Sequence, residues 1–261
     1  GVVLGLLFLV VSRAPVRLGV IHVMERLAYH EGHLSARTAL MQFFGGALAI
    51  ISGHSVGREG PSIHLGAATA SLMGQWLRLP NNSIRTLVAC GASAAIAASF
   101  NTPLAGVIFA MEVIMMEYTI SGFTPIILAA VSATTLNRLA FDSLPTFIVP
   151  ELALHSFWEL LAIVAMGIGI GALAAVFIVL LNWITKKTRT VPIFVRMSLG
   201  GTAVGICAIA MPQVMGIGYD TVNAALFGDM LVVTLSLVLL AKLVATAISV
   251  GMGIPAGLIG P

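Results

Sequence analysis

Charge is what this chain has least of. Only 9% of its 261 residues are Asp, Glu, Lys or Arg, against 59% hydrophobic, and its mean hydropathy is +1.05. A soluble domain carries roughly 25% charged residues. A water-facing surface cannot be built from so few, so lipid has to be the main solvent. Long basic runs are missing too. The formal charge is only +3, which gives no footing for a nucleic-acid partner. Cysteine is scarce: Cys90 and Cys207 lie in apolar helical stretches and read as reduced, buried thiols. No signal-peptide pattern stands at the start. The patterns G-x-S-x-G and H-E-x-x-H are absent and no Ser–His arrangement stands out, which argues against an intramembrane hydrolase and against an enzyme in general. His30-Glu31-Gly32-His33 lacks the spacing that puts two His ligands on one helical face, so a solvated loop is expected there. Neither a metal nor another cofactor is called for.

What is present is apolar sequence of membrane dimensions. A span needs about 20 mostly apolar residues; Ser156–Trp183 and Met230–Val250 both satisfy this. Glycines such as Gly167, Gly169 and Gly171 lie inside these runs, as close helix packing in lipid allows. The expected fold is all-α, a polytopic transmembrane helical protein. Its expected helices are Gly1–Val11, Leu18–Tyr29, Ala36–Ser52, Gly60–Leu77, Ser83–Phe100 and Pro103–Tyr118, followed by Phe123–Phe141, Leu154–Lys186, Pro192–Met211, Asp220–Phe227 and Leu231–Ser249. Several are too short to span and abut at Gly or Pro, the mark of broken helices whose ends meet inside the membrane. The Leu154–Lys186 helix is longer than the bilayer is thick and should tilt. Lys186, Lys187, Arg189 and Arg196 follow it, whereas the loop Asp142–Ala153 holds Asp142 and Glu151 without Lys or Arg. The positive-inside rule therefore places the Lys186 side in the cytoplasm. The chain starts inside an apolar run and stops at Pro261 where a new helix begins, so elements are expected to be missing at both ends.

One sequence frame occurs twice. Gly57-Arg58-Glu59-Gly60-Pro61 and Gly257-Leu258-Ile259-Gly260-Pro261 both read G-x-x-G-P, each after an apolar helix that ends in Ile-Ser and a Gly-rich break. Two structural repeats follow, residues 1–141 and 151–261 of a single transmembrane domain, with a substrate site at their interface. Helix N-termini carry unsatisfied N–H groups and a positive dipole end, so they bind anions. Pro61 suits a first helical turn, and Gly57 and Gly60 permit close backbone approach. Gly257 and Pro261 repeat the arrangement. Two such N-termini aimed at one point hold an anion without a full positive charge that would trap it. Glu59, beside that point, is a tethered competing anion: ionised it occupies the site, protonated it swings away. It is the candidate gate and proton carrier. The structural alternative is an Arg58–Glu59 salt bridge or a helix cap. His54 and His64, which flank the first frame, are either tuners of a pH response or ordinary polar lining, and Asp220 is expected to cap the helix that starts there.

These residues resemble the CLC family of chloride channels and chloride/proton antiporters. Gly57–Pro61 (GREGP) is the family's most specific signature, Gly91–Gly106 (GASAAIAASFNTPLAG) resembles the helix pair that follows it, and Gly253–Pro261 (GIPAGLIGP) resembles a later signature. The resemblance implies inverted repeats, a homodimer with one anion pathway per subunit, a multi-pass place in the plasma membrane and chloride or a similar small anion as the partner. It gives Glu59 the gating role and makes the amides of Arg58, Glu59, Gly60, Leu258 and Ile259 the anion-coordinating segments. Four positions depart from the family pattern. Leu18 stands where the family's GSGIP motif supplies a serine hydroxyl to the anion. Ile259 replaces a phenylalanine. A tyrosine the family uses falls beyond Pro261. Val113 stands where the antiporters carry an inward-side glutamate, next to Glu112, whose simplest role is a structural hydrogen bond. Gly251–Pro255 (GMGIP) looks like a variant of the early motif, out of position. The departure at Val113 points to channel-like chloride transport, with a coupled antiporter as the alternative.

Overall fold

The computed structural model describes residues 1–11, 18–141, 156–258 and 260–261. Its first helices are α1 (Val2–Val11), α2 (Gly19–Tyr29), α3 (Ala36–Ile51), α4 (Glu59–Trp76), α5 (Asn81–Phe100) and α6 (Pro103–Phe109). A π-helical turn, Ala110–Met115, extends α6 and is followed by α7 (Ile120–Phe141). Then come α8 (Phe157–Thr188), α9 (Ile193–Ala210), a short 3-10 turn at Pro212–Val214, α10 (Tyr219–Leu226) and α11 (Val232–Gly251). Among the described residues the only β-type pairing is one isolated bridge, between Gly57 and Gly257. Among the described residues, five helices are long and apolar enough to cross a membrane.

Local signals set the ends of these helices. Ser35 caps α3 by accepting the Thr38 N–H at 3.3 Å, and Ser156 caps α8 by accepting that of Trp158 at 3.3 Å. Asn101 closes α5 in the left-handed conformation, with φ of 57°, which Asn tolerates better than most side chains. Helix α8 has 32 residues, about 48 Å at 1.5 Å per residue, against an apolar slab of about 30 Å. Ile184 is its one buried residue. The rest of its apolar surface, from Phe157 to Trp183, is left for lipid or another subunit.

Packing is tightest around α4 and α5. A Cβ on Gly66 would strike the Gly91 carbonyl oxygen, and a Cβ on Gly91 the Gly66 oxygen, so the two backbones touch as small residues permit in lipid. Val23 of α2, Ile63 and Ala67 of α4, and Val88 and Ala92 of α5 form a buried cluster beside this contact. A second cluster joins Leu4 and Phe8 of α1, Met41 of α3, Met197 of α9 and Ile254 after α11. It ties the two halves of the chain together.

Several sequence expectations change. The helix expected over Pro103–Tyr118 is α-helical only to Phe109, then π-helical until Met116 turns left-handed with φ of 54°. Asp220 is not a cap: Gly218, with φ of 88°, precedes α10 and no side chain caps it. Cys90 and Cys207 are free thiols but half-buried rather than buried. Lys186 and Lys187 end α8 rather than follow it, and Arg196 lies in α9, within the helix expected over Pro192–Met211. The helix start at Leu154, the acidic loop Asp142–Ala153 and Ile259 lie outside the described residues.

Candidate functional site

The site grows out of two helix ends that break in the same way. Past α3, Gly53 donates its N–H to Ile50 O (3.0 Å) and His54 donates to Ala49 O (3.2 Å). Past α11, Gly253 donates to Val250 O (2.9 Å) and Ile254 to Ser249 O (3.1 Å). Gly53 and Gly253 both turn at positive φ, 75° and 84°, a region open to glycine at no steric cost. The two turns then meet. Gly57 N–H donates to Gly257 O at 2.9 Å and Gly257 N–H to Gly57 O at 2.8 Å. Contact is so close that a Cβ on Gly60 would sit 3.0 Å from Gly257 Cα and 3.1 Å from Ala256 O. Since the N–H groups of Gly57 and Gly257 are consumed in this pair, the amides that follow, at the start of α4, are the ones left to face a ligand.

Glu59, the first residue of α4, is 1% exposed. Its carboxylate lies in a notch made by glycines of both turns. A Cβ on Gly57 or on Gly260 would collide with it, and one on Gly257 would lie 2.8 Å from Oε2. Oε1 accepts the Tyr219 hydroxyl at 3.3 Å. Oε2 is buried with no hydrogen-bond partner among the described residues. A buried carboxylate oxygen without a partner is costly, and here it sits beside a helix N-terminus, whose dipole favours negative charge.

Arg58 turns away from Glu59. Its Nη2 donates to Ser99 O at 3.1 Å, and its guanidinium lies 5.9 Å from the centre of the Tyr219 ring. The Arg58–Glu59 salt bridge weighed as an alternative is not formed among the described residues. Pro61 is buried against α3, where a Cβ on Gly46 would meet its ring at 3.1 Å. Pro261 lies against the other turn, its Cδ 3.0 Å from where a Cβ on Gly57 would be.

A cavity of about 440 Å³ is lined by residues of both turns, Gly60, Gly257 and Leu258, together with Leu18, Phe109 and Arg196 among others. Leu18 thus stands at the same cavity as the two turns, as the N-terminal flank of α2, and makes no side-chain hydrogen bond there. The Gly19 N–H behind it donates to Gln42 Oε1 at 2.8 Å, and Gln42 Nε2 reaches Pro255 O at 3.4 Å. The structure therefore brings Leu18, Gly57, Arg58, Glu59, Gly60, Pro61, Gly257, Leu258 and Pro261 to one place. Val113 is half-buried in the π-helical turn and does not line the cavity. Glu112 beside it is exposed and makes no hydrogen bond among the described residues, so the structural bond expected of it is not found. His54 and His64 are buried rather than lining, 2% and 0% exposed, and His64 stacks edge-to-face on His22 at 5.4 Å.

Three residues of the site escape a reading of the sequence: Tyr219, Gln42 and Arg196. Gln42 has a signal, a lone amide within an apolar helix. Tyr219 has a weaker one, its place in the glycine-rich turn Gly216-Ile217-Gly218.

Comparison with known proteins bears on this geometry. Residues 1–261 match the family model described as voltage gated chloride channel. A putative chloride channel protein ClcB-like of Ralstonia nicotianae is 35% identical over 252 residues, 94% of this chain and 58% of that protein. A voltage-gated ClC-type chloride channel ClcB of Escherichia coli is 29% identical over 234 residues, 88% of this chain and 56% of the other. Among solved structures, a CLC-type fluoride/proton antiporter superposes with a TM-score of 0.84 at 25% identity, over 98% of this chain and 65% of that one. A slow cyanobacterial Cl⁻/H⁺ antiporter gives 0.85 at 25% identity, over 99% and 63%. The chain thus spans less than two thirds of the length of each of these relatives.

Proposed function

The chain belongs to the voltage gated chloride channel family, here called CLC, and from that premise we propose that it is the part of a multi-pass membrane protein that passes chloride, with Glu59 as the gate. The observation that carries this reading is the buried Glu59 carboxylate, seated between two G-x-x-G-P turns beside the first turn of α4. A carboxylate there stands where a free anion would bind. When it protonates or is displaced, chloride takes its place on the amides of Arg58, Glu59 and Gly60 and, from the other turn, Leu258 and Ile259. The matching hydrogen bonds of the two turns support a division into two repeats, residues 1–141 and 151–261. Leu18 offers no hydroxyl to the cavity, so central binding is weak and release is easy. A homodimer in the bacterial plasma membrane accommodates the exposed apolar faces of α7 and α8.

Channel-like conduction is favoured by Val113, which cannot bind a proton where a relay to Glu59 would begin. The second reading, a coupled chloride/proton antiporter, is favoured by the names of the two solved relatives, both proton antiporters. One experiment addresses the gate and the choice. The full-length protein is reconstituted in proteoliposomes, and chloride efflux and external pH are recorded at two pH values. Glu59→Gln should keep or raise efflux and lose its pH response. A folded but inactive variant, or one with an unchanged pH response, overturns the gate. Sustained uphill proton movement at a fixed ratio to chloride in the unmodified protein replaces the channel reading with the antiporter.

A further inference from the structure

Lys242 is a buried cation in an apolar helix. It is the only charged residue of α11, Val232–Gly251, and is 8% exposed. A charge in such a place is expensive, so one that is kept is expected to have a task. Among the described residues its ammonium pairs with no carboxylate. It donates instead to two backbone carbonyls, Gly216 O at 2.8 Å and Val214 O at 3.2 Å. An apolar side chain of the same length would pack there without the cost of burying a charge, so packing does not account for the lysine. The two carbonyls belong to the stretch between α9 and α10, which has little to hold itself. Gly216 and Gly218 both turn at positive φ, 65° and 88°, and glycine loses the most conformational freedom when it is ordered.

This stretch nevertheless runs against both halves of the notch. Met215 lies at the first break, its Sδ 3.1 Å from where a Cβ on Gly53 would be. Ile217 lies at the second turn, its Cγ2 3.1 Å from where a Cβ on Gly260 would be. Tyr219 then gives its hydroxyl to Glu59 Oε1. The ammonium stands directly behind the residue that precedes Tyr219, because a Cβ on Gly218 would sit 2.8 Å from Lys242 Nζ. We propose that Lys242 is a positioning residue for the gate: by holding the carbonyls of Val214 and Gly216 it fixes Val214–Tyr219 as a strap across the notch and keeps the Tyr219 hydroxyl on the Glu59 carboxylate. The proposal rests on the reading of Glu59 as the gate. Lys242 does not hydrogen-bond the carboxylate and does not line the 440 Å³ cavity. It acts through the tyrosine.

The test is chloride efflux from proteoliposomes holding the full-length protein, with Lys242→Met placed in three backgrounds. Methionine keeps the length of the stem and removes the donors. In the parent, efflux should rise about threefold, and no further than in Tyr219→Phe, because the tyrosine carries the whole effect. In Tyr219→Phe and in Glu59→Gln the same substitution should add nothing, the mark of residues that act in one chain. Gly218→Ala, whose methyl would displace the ammonium, is the second variant should Lys242→Met not fold, and the same three results are expected of it. A lysine that only supports the fold would lower efflux in every background. Unchanged or lowered efflux in the parent, or an equal change in all three backgrounds, therefore overturns the positioning role. If Glu59→Gln alone is folded but inactive, the gate reading fails and this role with it. If Glu59→Gln keeps or raises efflux while Lys242→Met leaves the parent unchanged, the positioning role alone fails.

Discussion

The turns at Gly57 and Gly257 share a backbone and differ in their side chains. Each follows an apolar helix, breaks at a positive-φ glycine, repeats the same pair of hydrogen bonds and ends in G-x-x-G-P. The first carries Arg58 and Glu59 between its glycines. The second carries Leu258 and Ile259. A shared backbone with unlike side chains separates two tasks that a single charged pocket would confuse. Backbone geometry makes the cradle and needs both copies. The carboxylate fills the cradle and comes from one copy only. Had both turns carried an acid, two like charges would share one buried notch, and one of them would have to stay protonated. With one, that repulsion does not arise.

The largest expected effect comes from the second turn. In Gly257→Ala the new methyl would lie 2.8 Å from Gly60 N and 3.0 Å from Gly57 O, both backbone atoms that cannot step aside. The cradle itself must open, at a cost of about 1–3 kcal/mol for overpacking, and the paired Gly57–Gly257 hydrogen bonds are strained with it. Expected are a melting temperature several degrees lower in detergent, read by gel filtration after heating, and loss of most chloride flux. A variant as stable and as active as the parent would mean that the contact between the turns is not what shapes the site.

The mirror substitution should behave differently. In Gly57→Ala the methyl collides with the end of the Glu59 side chain, which can rotate, and approaches Pro261 Cδ at 3.0 Å. The carboxylate is expelled while the bridge survives. Flux should persist with a flattened pH response, as in Glu59→Gln, and the melting temperature should fall less than in Gly257→Ala. Equal losses in the two alanine variants would erase the distinction between cradle and occupant.

Much of this arrangement is legible from the chain itself. The helices follow from runs of apolar residues punctuated by Gly and Pro, and the repeated G-x-x-G-P frame brings the two turns to notice before any contact is known. What stays hidden has physical causes. The π-helical turn after Phe109 is a shift in hydrogen-bond register, which the side-chain pattern of Ala110–Met115 does not encode. Arg196 falls inside the helix expected over Pro192–Met211, but no spacing tells that α9 brings it to the cavity. Gln42 and Tyr219 reach their partners across the fold, Gln42 to Pro255 and Tyr219 to Glu59, and a long-range hydrogen bond leaves no spacing to read. Asp220 shows the converse error: its residue type suits a cap, but Gly218 takes the turn.

Tyr219 offers the finest test of the comparison, because it is how the second half of the chain touches the charge carried by the first. Its hydroxyl gives Glu59 Oε1 a hydrogen bond at 3.3 Å, and the Arg58 guanidinium near its ring holds the phenol from the other side. Tyr219→Phe keeps the ring and the cation–π contact and removes only the hydroxyl. At that length the bond is worth about 1 kcal/mol, which is about a fivefold change in how often the carboxylate sits in the notch. If Glu59 gates the pathway, the bond holds its seated side chain, so losing it favours release. On the gate reading, flux of the parent should therefore rise about threefold to fivefold, while the flux already carried by Glu59→Gln should show little change. The measurement is chloride efflux from proteoliposomes across a pH series for the parent, Tyr219→Phe, and Tyr219→Phe combined with Glu59→Gln. If the hydroxyl acts through the gate, the double variant matches Glu59→Gln alone. If Tyr219→Phe alters the double variant as much as it alters the parent, the tyrosine shapes the pathway on its own account and the link between the two halves through Glu59 is broken.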